Sequence, residues 1–316
     1  MSAPRPAIEA VATTAQRLAV LLAAGVPPTT TWRYLAAAGR TGVTGRVVDA
    51  AARAGDQGTD VAQAVADAGG AAASPETARA WRALAAVWSL AIETGAPLAG
   101  ALREMAEAFR ATGRLQREAR VALAGPRATS RLVALLPVVA VAFGAVLGMD
   151  TLGVLFTTVP GLACLTAGGI LMLAGSRWSA RLVRRAGVGD PCPGLMIDLI
   201  AIALAGGASL DSARSSAGAV VTRFGVVDAA TAAQQAGQAD SVIALARAAG
   251  VPAAELLRAE AGDLRLAAQT DGQERAARLG VSLMIPLALC VLPAFMLLGV
   301  APMILSVVSS TFDGLG

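Results

Sequence analysis

Two pairs of carboxylates stand one helical turn apart, Glu104 with Glu107 and Glu260 with Asp263. Such pairs could share a proton as general acid and base, or hold a hard cation. Each pair, however, sits among guanidinium groups: Arg103 and Arg110 around the first, Arg258 and Arg265 around the second. Opposite charges three or four residues apart on a helix read as a solvated, ion-paired face. We therefore assign no catalytic, cofactor-binding or metal-ligating residue. Arg103, Arg110, Arg258 and Arg265 are instead read as partner-facing residues.

The rest of the chemical inventory points the same way. The sequence contains no His, which excludes His-based triads, His metal ligands and His proton relays. All 26 basic residues are Arg, so no phosphate-binding loop with its following Lys is present. Cys164, Cys192 and Cys290 are scattered and form neither a disulfide framework nor a metal set. Asp150 stands alone in an apolar stretch, where intramembrane proteolysis would need paired Asp, or Ser with a base. Aromatic residues make up 3%, too few for a stacking surface on nucleic acid.

The elements that hold these residues are of two kinds. From Leu132 to Ser176 the single charged side chain is Asp150. The hydrocarbon core is about 30 Å thick and takes about 20 residues of helix to cross. The stretch therefore predicts two spans, Leu132–Met149 and Leu152–Ala174, with Asp150 at the turn between them. A second apolar stretch, Leu279–Thr311, carries no charge and predicts one tilted span kinked at Pro286, Pro293 and Pro302. With 55% apolar residues and a mean hydropathy of +0.62, the composition agrees with a membrane protein.

Arginines orient these spans. Arg114, Arg117, Arg120, Arg127 and Arg131 precede the first, and Arg177, Arg181, Arg184 and Arg185 follow the second. Arg265, Arg275 and Arg278 precede the third. Basic flanks remain in the cytoplasm. Three spans then place the N-terminus and the middle region in the cytoplasm and the tail around Asp313 outside. Leu18–Val26 resembles a secretion signal in apolarity alone. Ile8, Val11, Ala15, Leu18 and Leu22 form a helical stripe instead.

The water-facing stretches read as helices punctuated by Gly and Pro. The first has six, over 7–24, 27–38, 46–54, 60–68, 75–94 and 97–123. Ser74-Pro75-Glu76 marks one start, and Ser209 with Asp211 another further on. After the linker Asp190–Pro193, helices are expected at 194–205, from 209, at 241–249 and from 252. The boundaries within 222–239 are not resolved by the pattern. The stretches are also related to each other. Gly95, Pro97, Leu102, Arg103, Ala106 and Arg110 recur at one offset as Gly250, Pro252, Leu257, Arg258, Ala261 and Arg265. Leu22 and Gly25 recur as Leu204 and Gly207 at a different offset, so a loop has changed length.

At this repeat the sequence resembles the type II secretion system F-domain family, the GspF/PilC-like inner-membrane platform proteins. Gly95-Ala96-Pro97-Leu98 with Leu102-Arg103 and Ala106, and the tail Pro286 to Phe295, are most similar to its tight-adherence (Flp) pilus branch, TadB/TadC-like. Glu93 preceded by Ile92 departs from the Gly-Glu of the secretion branch. The resemblance implies a non-enzymatic protein of the inner membrane. It would couple a cytoplasmic secretion or pilus ATPase to the extraction and assembly of pilin subunits, alone or with a second platform protein, as an oligomer. The expected fold is all-α: an integral membrane protein with three transmembrane helices and two duplicated cytoplasmic helical bundles. The expected domains are 1–131 and 177–278 as bundles, 132–176 as a hairpin of spans, and 279–316 as a kinked span with a short tail. Contacts with membrane lipid are expected, and none with nucleic acid; no cofactor is called for. The alternative is a small-molecule or ion transporter with cytoplasmic helical domains. It is weakened by the lack of ionisable groups at mid-membrane.

Overall fold

The computed structural model describes residues 7–122, 158–185 and 192–302, together with isolated positions between and after them. All regular structure among the described residues is helical. The chain divides into two compact units, Met1–Arg117 with Val188–Gly272, and Glu118–Gly187 with Gln273–Gly316.

The first unit holds α1 (Ala7–Ala23), α2 (Pro28–Ala37), α3 (Gly42–Gln57), α4 (Val61–Gly70), α5 (Pro75–Thr94) and most of α6 (Leu98–Ala122). After residue 188 it adds α8 (Leu195–Ala205), α9 (Leu210–Phe224), α10 (Ala229–Ala249) and the first part of α11 (Ala253–Ser282). One core draws on both stretches of chain. Leu18, Trp32, Trp81, Leu84, Leu102 and Phe109 come from the first, and Ile197, Ile200, Ala213, Ile243 and Leu257 from the second. α5 is the central element. It packs against α1, α4, α8 and α9, and its Leu84, Val87 and Leu90 have essentially no exposed surface. α8 carries Leu195, Ile197, Leu199 and Ile200 fully buried, each worth about 2 kcal/mol of apolar burial.

Local sequence explains where these helices stop. Gly58, Gly95, Gly225 and Gly250 close α3, α5, α9 and α10 in the left-handed region that side chains avoid. Asp60, Ser209 and Asp228 accept backbone N–H groups at the starts of α4, α9 and α10. Three helices of this unit differ from the sequence reading; α10 starts at Ala229 and not at 241, because Asp228 caps it there. α3 begins at Gly42 and runs through Gly55 to Gln57, because the αL turn falls at Gly58 and not earlier. α4 includes Gly69 and Gly70, since Gly69 presses on the Trp81 side chain and leaves no room for a Cβ.

The second unit contains α7 (Val159–Arg185) and a helical run that continues from the end of α11. That run passes through short α-turns, Met284–Pro286 and Leu292–Phe295, and two π-turns, Leu287–Val291 and Met296–Val300. A π-turn begins directly after Pro286 and another three residues after Pro293, the wider geometry that re-bonds a backbone from which proline has removed a donor. α7 packs on this run through small residues: Gly168 against Leu298, and Gly175 against Cys290. Two of the three expected spans thus lie among the described residues. α7 starts later than Leu152 and extends to Arg185, well past Ala174. The third is the 253–300 run, whose apolar part follows α11. Of the first span, Leu132–Met149, only isolated helical positions at 135, 139, 142 and 146 are described; the turn at Asp150 and the tail around Asp313 fall outside the described residues.

Both helical stretches are long and apolar enough to cross a membrane. Neither is a covered core helix: Val159 is 85% exposed, Ile170 66%, and Leu289 63%. Side chains of this kind need an apolar solvent.

A pair of glycine substitutions separates packing from helix propensity. Gly69→Ala would drive its Cβ into the Trp81 side chain and is expected to destabilise the first unit by about 1–3 kcal/mol. Gly237→Ala, in the middle of α10 with open space around it, is expected to stabilise by about 0.5–1 kcal/mol. Thermal melts of the detergent-solubilised chain followed by circular dichroism would show the opposite signs.

Candidate functional site

Charged side chains converge in the first unit where α6, α8 and α11 meet. Three packing features hold these helices together. Leu102 and Ala106 of α6, and Leu257 and Ala261 of α11, are fully buried. Gly194, in the left-handed region at the start of α8, lies so close to Ala261 that a side chain would meet its backbone. The α8 N-terminus is then secured by the buried Gln235 of α10, whose side-chain oxygen accepts the Met196 N–H at 3.1 Å.

On that frame Arg265 of α11 forms an ion pair and hydrogen bond with Asp198 of α8, both side chains largely covered. Two turns back, Arg258 pairs with Glu104 of α6, its Nε 3.5 Å from the carboxylate. The pairs flank a groove of about 350 Å³ lined by Glu104, Glu107, Arg114, Arg258, Arg265 and Gln269, among others. Burial pushes the Asp198 carboxyl up from its ordinary 3.8 to about 6, against the pull of the Arg265 guanidinium. Glu104 adds to the upward push and Arg258 opposes it. One Asp198 oxygen, Oδ1, is buried without a hydrogen-bond partner.

The four arginines singled out in the sequence have separate fates. Arg258 and Arg265 turn inward to Glu104 and Asp198. Arg110 is half-buried, and its Nη1 donates to Gln16 Oε1 of α1 at 3.3 Å. Arg103 is exposed. The expected carboxylate pairs do not act as pairs. Glu104 faces a guanidinium from another helix, and neither Glu260 nor Asp263 lines the groove. Every interior carboxylate of the site meets a cation of the chain itself, so the arrangement is built to lock helices together. It offers no poised acid–base couple.

Sequence reasoning missed Asp198 and Gln235. Asp198 stands out as the lone charge within the apolar run Leu195–Ala205, and that isolation was a usable signal. Gln235 is one of several Gln and Ala residues in a featureless stretch, and only the fold brings it to the start of α8.

Residues 14–145 match the family described as Type II secretion system (T2SS), protein F. The match spans most of α1 through α6 and continues beyond them, covering somewhat under half of the chain. No curated protein matches the sequence.

Two outcomes test this site. The native state holds a proton on Asp198 that the unfolded chain releases, between pH about 6 and 3.8. Wild type should therefore gain stability relative to Asp198→Asn as pH falls through that window, by up to about 3 kcal/mol. The gain should vanish above pH 7, and paired pH–melting series would measure it. Gln235→Leu should cost about 1–2 kcal/mol by leaving the Met196 N–H without an acceptor, read from the same melts.

Proposed function

We propose that the protein is an inner-membrane platform of a type IV (Flp/Tad-type) pilus or a type II secretion-like machine. In this reading it couples a cytoplasmic ATPase to the extraction and assembly of pilin subunits. The observation that carries the reading is the family match over residues 14–145. Two exposed apolar helical stretches support a place in the membrane. The ion-paired site supports a mechanical role without bond-making.

The water-facing unit is read as two copies of one helical module. Arg110 and Arg265 are equivalent in the repeat, and so are Gln16 and Asp198, each six residues before its Leu22 or Leu204 counterpart. Arg110 contacts Gln16, and Arg265 contacts Asp198. The glycine turns that end α5 and α10 are also alike: the Gly95 and Gly250 N–H groups bond to Ala91 and Ala246. Under this reading α3 and α4 are the addition that makes the first copy longer. Both copies face the cytoplasm, with the tail on the opposite side, and each feeds a membrane-crossing stretch.

Such a platform receives force through protein contacts. Among the four candidate arginines Arg103 remains available to a partner, while Arg258 and Arg265 serve the platform's own rigidity. The broken helix over 284–300 is the feature a transporter would share, but the apolar stretches 159–176 and 279–302 contain no ionisable side chain except Cys164 and Cys290.

Co-purification with the secretion-type ATPase encoded in the same genome is the direct test. The tagged chain should retain that ATPase, and Arg103→Glu should weaken retention at least fivefold without lowering the melting temperature. Purified chain that moves solutes across liposome membranes and retains no ATPase would replace this reading with the transporter.

A further inference from the structure

In the second unit the ends of two helices far apart in sequence are brought side by side. Leu182 of α7 packs against Leu279 and Leu283 at the end of α11. Arg181 directly precedes Leu182 and Arg278 directly precedes Leu279, with Arg177 and Arg275 about one turn before them on α7 and α11, and all four are exposed. Arg278 reaches back to Glu274, an exposed i,i+4 pair. Arg177 and Arg181 make no ion pair among the described residues. Trp178 lies between them and is 40% exposed, although it is the largest apolar side chain in this part of α7. On one side of this belt lie the exposed apolar residues Leu173, Ile170, Ile285 and Leu289; on the other, α11 becomes polar through Asp271, Gln273 and Glu274.

We infer that this paired helix end is a seat for the phosphate headgroups of anionic lipids. The inference rests on the membrane reading above and adds a lipid preference to it. Each part of a headgroup contact is present. The leucine contact fixes the spacing of the two helices, the guanidinium forks match phosphate oxygens, and the indole sits at the level where an amphipathic ring is anchored. The sequence reading puts these arginines in the cytoplasm; the structure adds that the leucines next to Arg181 and Arg278 are in contact, which brings the two basic helix ends together. Asp271 and Glu274 stand against four arginines at this helix end, which leaves it with net positive charge.

Tryptophan fluorescence tests this directly. Trp32, Trp81 and Trp88 are buried in the core of the first unit, so quenching by lipid reports Trp178. The full chain is placed in nanodiscs of phosphatidylcholine containing equal fractions of either phosphatidylglycerol or phosphatidylcholine brominated near the headgroup. Brominated phosphatidylglycerol should quench more strongly, and Trp178→Phe should abolish the quenching. Arg177→Gln with Arg181→Gln should remove the preference, about fivefold per arginine, while quenching by phosphatidylcholine persists. Added inorganic phosphate should leave the preference unchanged, and raised salt should reduce it. Equal quenching by the two lipids in the wild type would overturn the headgroup seat and leave the membrane reading intact. No quenching by either would overturn both. Unchanged emission from the three buried tryptophans shows that a variant is folded.

Discussion

An apolar helix must cover its side chains, and this chain does so in two different ways. In the first unit the cover is protein. α8 is almost wholly apolar, and its isoleucines and all its leucines but Leu204 are buried as it packs against α5, α9 and α10. In the second unit, α7 and the 284–300 run touch each other along a narrow seam of small residues and leave most of their apolar surface outward. The rest follows from this contrast. Buried polar atoms in the first unit need partners from the chain, whereas the outward faces of the second need a lipid solvent.

The charges obey the same constraint. Asp198 is the one charge on a helix otherwise built for a dry interior, and it remains there because Arg265 crosses from α11 to meet it. Its raised pKa records that the match is incomplete: burial outweighs the guanidinium. A half-matched buried pair adds little net stability but strongly disfavours arrangements in which either partner is left alone. The more exposed Arg258–Glu104 pair contributes less than about 1 kcal/mol and marks register more than strength.

Much of this organisation is written locally in the sequence. Helix starts at Asp60, Pro75 and Ser209, and stops at Gly95 and Gly250, follow from capping chemistry that any reader of the chain can apply. α10 escaped that reading because its Ala- and Gln-rich first half has no apolar stripe. Yet Asp228 three residues before Thr231, after Gly225, was a complete start signal. The sharing of one core by residues before 117 and after 188 was not legible, because it depends on contacts between segments separated by the apolar stretch. The same holds for the inward turn of Arg258 and Arg265: spacing along a helix says which residues share a face, not what that face meets.

The proposed platform requires water-facing and lipid-facing helices to alternate along one chain, with the helical unit and the tail on opposite sides of the membrane. A compartment-sensitive reporter inserted at 227, between α9 and α10, and the same reporter fused after Gly316 measure it most directly. The account predicts activity on opposite sides of the membrane, the first cytoplasmic and the second external. Both reporters in the same compartment would contradict it.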